Sequence, residues 1–537
     1  MARRQAALAS ALVALGLAAA ACGSGGSGSN NDAAAGTECS SSPTEMQFGV
    51  ATEMAGFDPV SGGSNGVAGG TERVAIYDSI MRYDPDEGMV VPRMAESFES
   101  NADSTKWTLK LREGITFSSG APVDSAAVMW NVEHHRADGS ASLFKPQLLL
   151  IDKMTEVSPT ELVFDLSAPR GDFPMVFATA PGMLLDPAAF EAAGAEAYAG
   201  GKGVVGAGPY EVASFKPGEE LVVTRKDSYW GDELGVDGKF CVDTIRFSFI
   251  QDPNARVDAL TTGQLDVGSF ADAASVGKVE DAGLELGMAY NWGNDVLLIN
   301  HGTGGVDRPG KDIRVRQAIV EALDVELINQ RGAGGKGIAT SALVGEGSSL
   351  YTPGLEGPKY DPENAKRLLA EAKADGYDGK LEFNVDSSHV DWGLAVEGLL
   401  EAVGFEVEVD SSMSLADLIA QSFYPGDYDI QYFAMSLDDA QAWATLQTTT
   451  GQAEPALSRV GYRSEAWGAA LDQLRAATDL EERQAGIAGL QEVWNEEFPF
   501  AITLGSQRGV AYDPKNVRGL KFGHAAIALF DDATVAE

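Results

Sequence analysis

The sequence predicts an α/β protein with at least two lobes and with parallel strands in its second half. Alternating apolar residues mark short strands before about residue 290, and the helical period dominates after it. The stretch 380–434 has the order strand, helix, strand, helix, strand, which is typical of parallel strands joined by right-handed crossovers. A chain of 537 residues is also too long for one hydrophobic core.

Residues 1–21 have the features of a secretory signal peptide. Arg3 and Arg4 precede an apolar run from Ala6 to Ala21, and small residues end the run. The run is shorter than the roughly 20 residues that a membrane-spanning helix needs. Because Cys22 follows directly, this junction resembles a bacterial lipobox, in which the cysteine carries lipid. The alternative is an ordinary cleavage site near an unimportant cysteine.

Residues 22–43 predict a flexible tether, since residues 23–29 are almost entirely Gly and Ser. A lipidated Cys22 would hold the exported protein at the outer face of the cytoplasmic membrane, or in the periplasm. The net charge of −40 argues against nucleic acid and anionic lipid surfaces as partners. We interpret the charge mainly as a source of solubility.

The cysteines that remain after Cys22 form an even pair, Cys39 and Cys241. Cys39 precedes the first predicted strand, Met46–Val50, and Cys241 precedes another, Thr244–Ile250. If these strands are neighbours in a sheet, the two thiols meet at its rim. Thiols outside the cytoplasm tend to pair, so the sequence predicts a disulfide. The alternative is two separate thiols.

The stretch 380–434 also predicts where a ligand binds. Its last predicted strand is Tyr428–Ala434, and Leu415–Phe423 is the helix before it. In parallel sheets, ligands bind beyond the carboxyl ends of the strands. For this strand the place is Met435–Asp439. Elsewhere, Asp312 and Asp361 have the sequence context of helix N-caps.

Motifs for catalysis and metal binding are weak. Gly332–Gly337 fits a dinucleotide fingerprint but follows a helix, so we expect a loop. Gly62–Gly66 fits a nucleophile elbow, but we expect no helix after it. The histidines lack the spacing of a zinc site and no Walker motif occurs, so we expect no enzyme, no metal and no cofactor. The five histidines are His134, His135, His301, His389 and His524.

A series of segments resembles the bacterial extracellular solute-binding proteins of family 5, which take up peptides, dipeptides and nickel. The resemblance covers roughly residues 45–537, and its specificity comes from the order of the segments. The segments are Pro92–Phe98, Trp107–Leu111, Arg112–Val123, Val205–Tyr210, Arg225–Trp230, Asp266-Val267, Asp312–Ala318 and Tyr360–Pro362.

The resemblance implies a two-lobed periplasmic-binding-protein-like fold of type II, class C, with an extra small subdomain in the first lobe. Two crossover segments would join the lobes, with hinges near Tyr290 and Phe498-Pro499. The small subdomain would span residues 93–205 and lobe II residues 291–499. Lobe I would contain residues 44–92, 206–290 and 500–537.

The resemblance also implies ligand-binding residues. Counted from Asp429, the family's anchoring position falls on Asp438, which would pair with the α-ammonium group of a peptide. Its alternative role is a helix N-cap. Oligopeptide binders have Trp three residues before the anchor, where this chain has Met435, so the pocket departs from that of a standard peptide binder. Phe57 and Trp292 would supply apolar walls. Asn294, Met435 and Asp439 complete the expected set.

The implied function is that of an extracytoplasmic, monomeric binding component of an ABC importer. It would capture a peptide or similar small solute and deliver it to the membrane permease subunits. The first alternative is the same fold with a non-peptide solute, such as a metal chelate, an oligosaccharide or an opine-like compound. The others are an extracellular hydrolase and a structural or sensory surface lipoprotein.

Overall fold

The computed structural model describes residues 39–61, 67–84, 89–236, 238–270, 273–414, 417–418, 421–422, 426–437, 442–451 and 458–536. The predicted signal peptide, Cys22, most of the predicted tether, Asp438 and Asp439 lie outside these residues. Trp292 and Asn294 lie within a described strand, but their side chains are outside the description. Among the described residues, none of the helices has the length and apolar character needed to cross a bilayer.

The secondary structure alternates short strands and helices. The strands are β1 Glu45–Val50, β2 Met81–Asp84, β3 Met89–Pro92, β4 Ala95–Ser100, β5 Lys106–Leu111, β6 Ile151–Ser158, β7 Glu161–Leu166, β8 Tyr210–Lys216, β9 Glu220–Arg225, β10 Thr244–Phe249, β11 Val267–Phe270, β12 Glu285–Ile299, β13 Ile338–Ala339, β14 Lys380–Asp386, β15 Glu406–Met413, β16 Ile430–Ala434, β17 Phe500–Tyr512, β18 Val517–Arg518, β19 Lys521–Phe522, β20 Ala528–Leu529 and β21 Thr534–Val535. The helices are α1 Val67–Tyr77, α2 Ser125–Arg136, α3 Lys145–Leu148, α4 Pro187–Ala193, α5 Ala195–Ala199, α6 Trp230–Leu234, α7 Pro253–Thr261, α8 Ala273–Asp281, α9 Ile313–Glu321, α10 Val325–Gly332, α11 Pro362–Ala374, α12 Val390–Val403, α13 Ala442–Thr450, α14 Glu465–Ala476 and α15 Leu480–Glu497.

Local sequence signals account for several element boundaries. The carboxylate of Asp312 accepts from the backbone N–H of Arg314 at the start of α9, and Asp361 caps α11, which has Pro at its first position. Both predicted caps are therefore confirmed. Gly62–Gly66 lies outside the described residues, but α1 starts directly after it. The expectation that no helix follows this motif was wrong, although β1 still ends too early for a tight strand-to-helix elbow.

Eleven strands of the described chain form one sheet. Its order is β15-β14-β16-β12-β17-β11-β1-β10-β9-β8, with β13 paired to β17. The long central strands β12 and β17 pair with each other on both sides of a register shift, which places Asn291 opposite Ser506 and Asp295 opposite Leu504. We call β1 and β8–β11 the first half-sheet and β14–β16 the second half-sheet. The chain crosses between them along β12 and β17.

The second half-sheet confirms the predicted strand–helix–strand order. Strand β14 pairs in parallel with β15 on one side and with β16 on the other, and α12 connects β14 to β15. Of the predicted helix Leu415–Phe423, residues 417–418 and 421–422 are described and are helical. Parallel neighbours require such crossover connections, which is why the alternation of periods predicts this arrangement.

Separate hydrophobic cores lie against the two half-sheets. One cluster is built from residues between Met46 and Val267 together with residues 510–533 of the C-terminal tail. Two other clusters are built from residues between Val296 and Leu504. Two bodies with their own cores, joined by two central strands, form a two-lobed α/β fold. The predicted lobe boundaries and hinge positions stay predictions.

A smaller antiparallel sheet lies within the span predicted for the small subdomain. Its order is β4-β5-β7-β6. One face packs against an aromatic cluster in which the Phe98 ring lies 5.4 to 5.8 Å from the rings of four neighbours. These neighbours are Trp107, Phe164, Phe173 and Phe177. Such rings in edge or tilted contact stabilise a core beyond the area that they bury.

The Cys39–Cys241 disulfide that the sequence predicts is present, with Cα atoms 4.9 Å apart. Strands β1 and β10 are parallel neighbours, with Glu45 opposite Thr244. The thiols therefore meet at the start of both strands, as the spacing of the two cysteines and strands predicts. Thr44 fixes the same rim, because its hydroxyl donates to the Cys241 carbonyl at 2.9 Å.

Candidate ligand-binding site

The carboxyl ends of the parallel strands point toward the crossover from both half-sheets. In the first, β1 and β11 are parallel, and the last residue of β11, Phe270, lies opposite Gly509 near the crossover in β17. In the second, the last residue of β16, Ala434, lies opposite Asp295, where β12 crosses over. Ligands bind beyond the carboxyl ends of parallel strands. The topology therefore places a candidate site at the crossover.

A chain of polar side chains lies at this edge of the second half-sheet. The Tyr432 hydroxyl of β16 donates to Asp295 Oδ1 at 2.9 Å and lies 3.0 Å from His389 Nε2. His389 Nδ1 lies 2.7 Å from Oδ2 of Asp386, the last residue of β14. The Ser388 hydroxyl donates to the other oxygen of Asp386. Three strands and the start of α12 thus contribute to one hydrogen-bonded wall.

Electrostatics define the roles within this wall. Burial and the neighbouring Asp295 carboxylate raise the pKa of Tyr432 well above its ordinary value, so its hydroxyl stays a neutral donor. Burial also acts to raise the pKa of Asp386, but hydrogen bonds from Ser388 and His389 outweigh it and lower that pKa overall. Asp386 is therefore an acceptor at neutral pH. Tyr432 has a single hydroxyl proton, so its hydroxyl donates to one acceptor at a time, and it donates to Asp295 in this structure.

Packing behind the wall holds these side chains in place. The Trp392 ring lies edge-on to Tyr432 at 5.0 Å, and its Nε1–H donates to the Thr503 hydroxyl at 3.1 Å. Thr503 in turn donates to the Asp295 carbonyl at 2.7 Å. The His389 ring stacks on Tyr432 at 4.2 Å, and its side chain is 33% exposed. His389 is thus a wall member that solvent or a solute reaches.

On the first half-sheet, residues 51–61 follow β1 at the same crossover edge. Asp58 Oδ2 lies 2.8 Å from His134 Nε2, and Arg73 donates to the Gly56 carbonyl at 2.8 Å. Phe57 is fully buried, and its ring lies against Phe215 at 5.1 Å. The structure thus places the predicted wall residue Phe57 in the core, where it presents no surface to a solute in this conformation.

The other predicted ligand residues have different positions. Met435 follows β16 at the predicted edge but is 3% exposed, and Thr449 donates to its sulfur at 3.7 Å. Trp292 and Asn294 occupy the part of β12 where its register with β17 shifts. Asp438 and Asp439 lie outside the described residues, so their roles stay predictions.

Sequence reasoning missed Asp295, Asp386, His389 and Tyr432. Asp386 is the last residue of β14. The rule that ligands bind beyond the carboxyl ends of parallel strands, which pointed to the end of β16, would also have pointed to Asp386 at the end of β14. Asp295 and Tyr432 carry no comparable local signal, because their contact depends on the antiparallel register of β12 and β16. Within the described part of the chain, no group of three or more His, Cys, Asp or Glu side chains could hold a metal ion.

A family model identifies the family to which this chain belongs. The model of the bacterial extracellular solute-binding proteins, family 5 (middle region), matches residues 89–455. This chain belongs to that family. The resemblance predicted from the ordered segments is therefore confirmed.

Curated family 5 relatives are distant in sequence. The chain is 26% identical to the nickel-binding periplasmic protein of Escherichia coli (strain K12) over 303 residues, or 55% of each protein. It is 25% identical to the glutathione-binding protein GsiB of Shigella dysenteriae over 512 residues, 92% of this chain and 95% of the relative. The match to the nickel-binding protein thus spans about half of either protein.

Solved structures share the fold. The complex of AgaA with agropinic acid from A. tumefaciens R10 superposes with a TM-score of 0.73 at 23% identity, covering 92% of this chain and 99% of that one. The complex of DppA from Helicobacter pylori with the peptide STSA has a TM-score of 0.73 at 18% identity, covering 92% and 98%. The predicted two-lobed periplasmic-binding fold of family 5 is therefore confirmed.

Proposed function

We propose that this protein is the extracytoplasmic substrate-binding component of an ABC importer. It captures a peptide or a similar small solute between its two lobes and delivers it to the permease. One observation carries this proposal: the carboxyl ends of both sets of parallel strands point to the crossover that joins the lobes. A solute bound there contacts both lobes, and closure around it produces the form that a permease recognises.

The polar wall favours a solute with hydrogen-bond donors. Asp386 is buried and paired with Ser388 and His389, whereas the acceptor Asp295 is partly exposed and the His389 side chain is one-third exposed. An ammonium group suits such a wall, because charge-assisted hydrogen bonds to carboxylates are stronger than neutral ones. Relatives whose names or structures include glutathione and short peptides support a peptide-like solute. Agropinic acid and nickel in other relatives support a non-peptide solute as the second candidate.

Native mass spectrometry of protein purified from its own host tests the proposal. We expect one small solute per chain, released intact on denaturation and identified by fragmentation. A peptide would support the leading solute class, and a chelate, sugar or opine would support the second. Recovery of a protein that never retains a solute, or steady turnover of added peptides, would contradict a pure binding role.

Asp438 remains the proposed anchor of the solute's ammonium group. We expect Asp438→Asn to weaken binding by about 2–5 kcal/mol, because a buried ammonium would lose its charge partner. Calorimetry with the recovered solute and a thermal melt without it separate this role from a helix cap. A cap would instead cost about 1 kcal/mol of stability. Unchanged affinity with a lowered melting temperature would remove Asp438 from the site.

We also propose that residues 1–21 are a signal peptide and that Cys22 carries lipid. The basis is the run of small residues before Cys22 and the Gly/Ser-rich stretch after it. We expect Cys22→Ser to release the protein from membranes, because the acyl chains supply the membrane affinity. Fractionation of cells that produce each form measures this. Equal membrane retention of both forms would contradict lipidation.

A further inference from the structure

A loop of the small sheet contacts the second lobe at a point outside the central strands. The loop Pro169–Gly171 follows β7, and it meets helix α14. The Gly171 N–H donates to the Arg475 carbonyl at 3.0 Å, and Arg475 Nε donates back to the Pro169 carbonyl at 3.0 Å. Loop and helix thus exchange two hydrogen bonds between segments that are about 300 residues apart in the chain.

Two cations stack on one indole at the same place. The guanidinium carbon of Arg170 lies 5.0 Å from the Trp443 ring centroid in α13, and that of Arg475 lies 5.9 Å away. Arg170 is held in this position, because its Nε lies 2.8 Å from Asp172 and an Nη2–H donates to Gln147 at 2.9 Å. The loop therefore approaches the second lobe with a pre-oriented side chain.

The fit of the loop leaves no room for a side chain at residue 171. A Cβ atom on Gly171 would lie 2.0 Å from the Ala477 carbonyl oxygen and 2.6 Å from that of Ala476. These atoms are backbone, so a rotamer change cannot relieve the overlap. Nearby, Leu150 of the same small-sheet region packs against a core cluster of the second lobe. We call the set Leu150, Pro169–Gly171, Trp443 and Arg475–Ala477 the closure contact.

We propose that the closure contact holds the two lobes in their closed arrangement and so sets solute affinity through residues that do not touch the solute. The proposal rests on the proposed function. The covalent connections between the lobes run along β12 and β17, and the closure contact belongs to neither strand. A contact that forms only when the lobes are closed raises the fraction of molecules with closed lobes. The apparent affinity for the solute increases with that fraction. Gly171 and Arg475 are therefore positioning residues.

Small-angle X-ray scattering of solute-free protein tests this directly. We expect Gly171→Ala to raise the radius of gyration, because the new Cβ would overlap the Ala476 and Ala477 backbone of the second lobe in this arrangement of the lobes. Arg475→Gln should shift it in the same direction, since it removes the hydrogen bond to the Pro169 carbonyl and the cation–π contact with Trp443. Hydrogen exchange should accelerate about tenfold or more in residues 167–173 of both variants, where the opened contact exposes the Gly171 amide.

Matched variants separate opening from general destabilisation. Gly398→Ala lies on α12, where an added Cβ has nothing within 4 Å. Arg367→Gln removes an exposed arginine that pairs with Glu371 on its own helix. Both controls should leave the scattering unchanged. Gly171→Ala and Arg475→Gln together should shift it less than the sum of the two single shifts, because both break one contact.

The outcome does not depend on which solute binds. Unchanged scattering and exchange in a folded Gly171→Ala or Arg475→Gln protein would overturn the closure contact while leaving the proposed function intact. Larger scattering dimensions in both variants, with a protein that retains no solute in native mass spectrometry, would support the contact and reject the binding function. If Gly171→Ala does not fold, the Arg475→Gln result decides.

Discussion

Two segments leave parallel strands at the crossover edge and differ in what they present. Residues 51–61 follow β1 and turn their aromatic side chain, Phe57, fully into the core. Residues 387–389 follow β14 and present His389, whose side chain is one-third exposed. Both segments follow the carboxyl end of a parallel strand and so reach the candidate site, but their roles there differ. The first supports the site, and the second forms part of its polar wall.

The difference follows from how each segment is held. The longer segment needs its own contacts, and Arg73 and Tyr77 of α1 supply them by donating to the carbonyls of Gly56 and Phe57. The shorter segment leads straight into α12, with His389 as the residue before the helix. The short link before α12 needs no packing of its own, so its side chains can face the candidate site. A longer loop is held together by packing its own side chains, which are then buried.

The largest expected effect that tests this contrast is on stability. We expect Phe57→Ala to lower the free energy of unfolding by about 3–5 kcal/mol, because it removes a fully buried ring that packs against Phe215. Urea unfolding measures this, and calorimetry with the recovered solute should show nearly unchanged affinity. If Phe57→Ala instead left the free energy of unfolding unchanged and weakened solute binding, Phe57 would be part of the ligand-binding wall.

A second test uses a buried acid behind the supporting segment. Burial raises the pKa of Glu72 in α1 from 4.5 to about 7, against the opposing effect of hydrogen bonds from backbone N–H groups such as that of Gly69. A carboxyl group whose pKa is raised by folding stabilises the fold at low pH. That contribution is lost as pH rises from about 4.5 to 7, by at most about 1.4 kcal/mol per pH unit.

Glu72→Gln keeps the neutral shape and removes this titration. We therefore expect the variant to gain stability relative to the wild type as pH rises from 5 to 7, reaching up to roughly 3 kcal/mol. Above pH 7 the difference should become constant. Urea unfolding at a series of pH values measures it. A difference that stays the same from pH 5 to 8 would show that Glu72 does not titrate in this range.

The smallest expected effect concerns the polar wall. We expect Tyr432→Phe to cost about 1–2 kcal/mol of stability, because Asp295 loses its hydroxyl donor and His389 loses its partner. Solute affinity should also fall, since Asp295 is no longer held in place. Tyr360→Phe is the control, as its side chain is about half exposed. Equal effects of the two substitutions would remove Tyr432 from the wall.

Much of the fold could be predicted because its signals are local. The N-caps Asp312 and Asp361 precede apolar stripes, and the change of period over 380–434 predicts parallel strands. The cysteine pair was predictable because each cysteine precedes a strand by a few residues. The burial of Phe57 could not be predicted, since an apolar residue in a Gly-rich loop has the same sequence pattern whether it faces a cleft or the core.

By itself, the sequence determined the α/β class, the family and the Cys39–Cys241 pair. Only the tertiary structure decided that Asp295, Tyr432, His389 and Asp386 form one wall, and that Gly171 lies against Ala477. The physical reason is that helical and strand periods act between neighbours in the chain. Strand register and the packing of one lobe against another act between residues far apart, where no local pattern records which side chains meet.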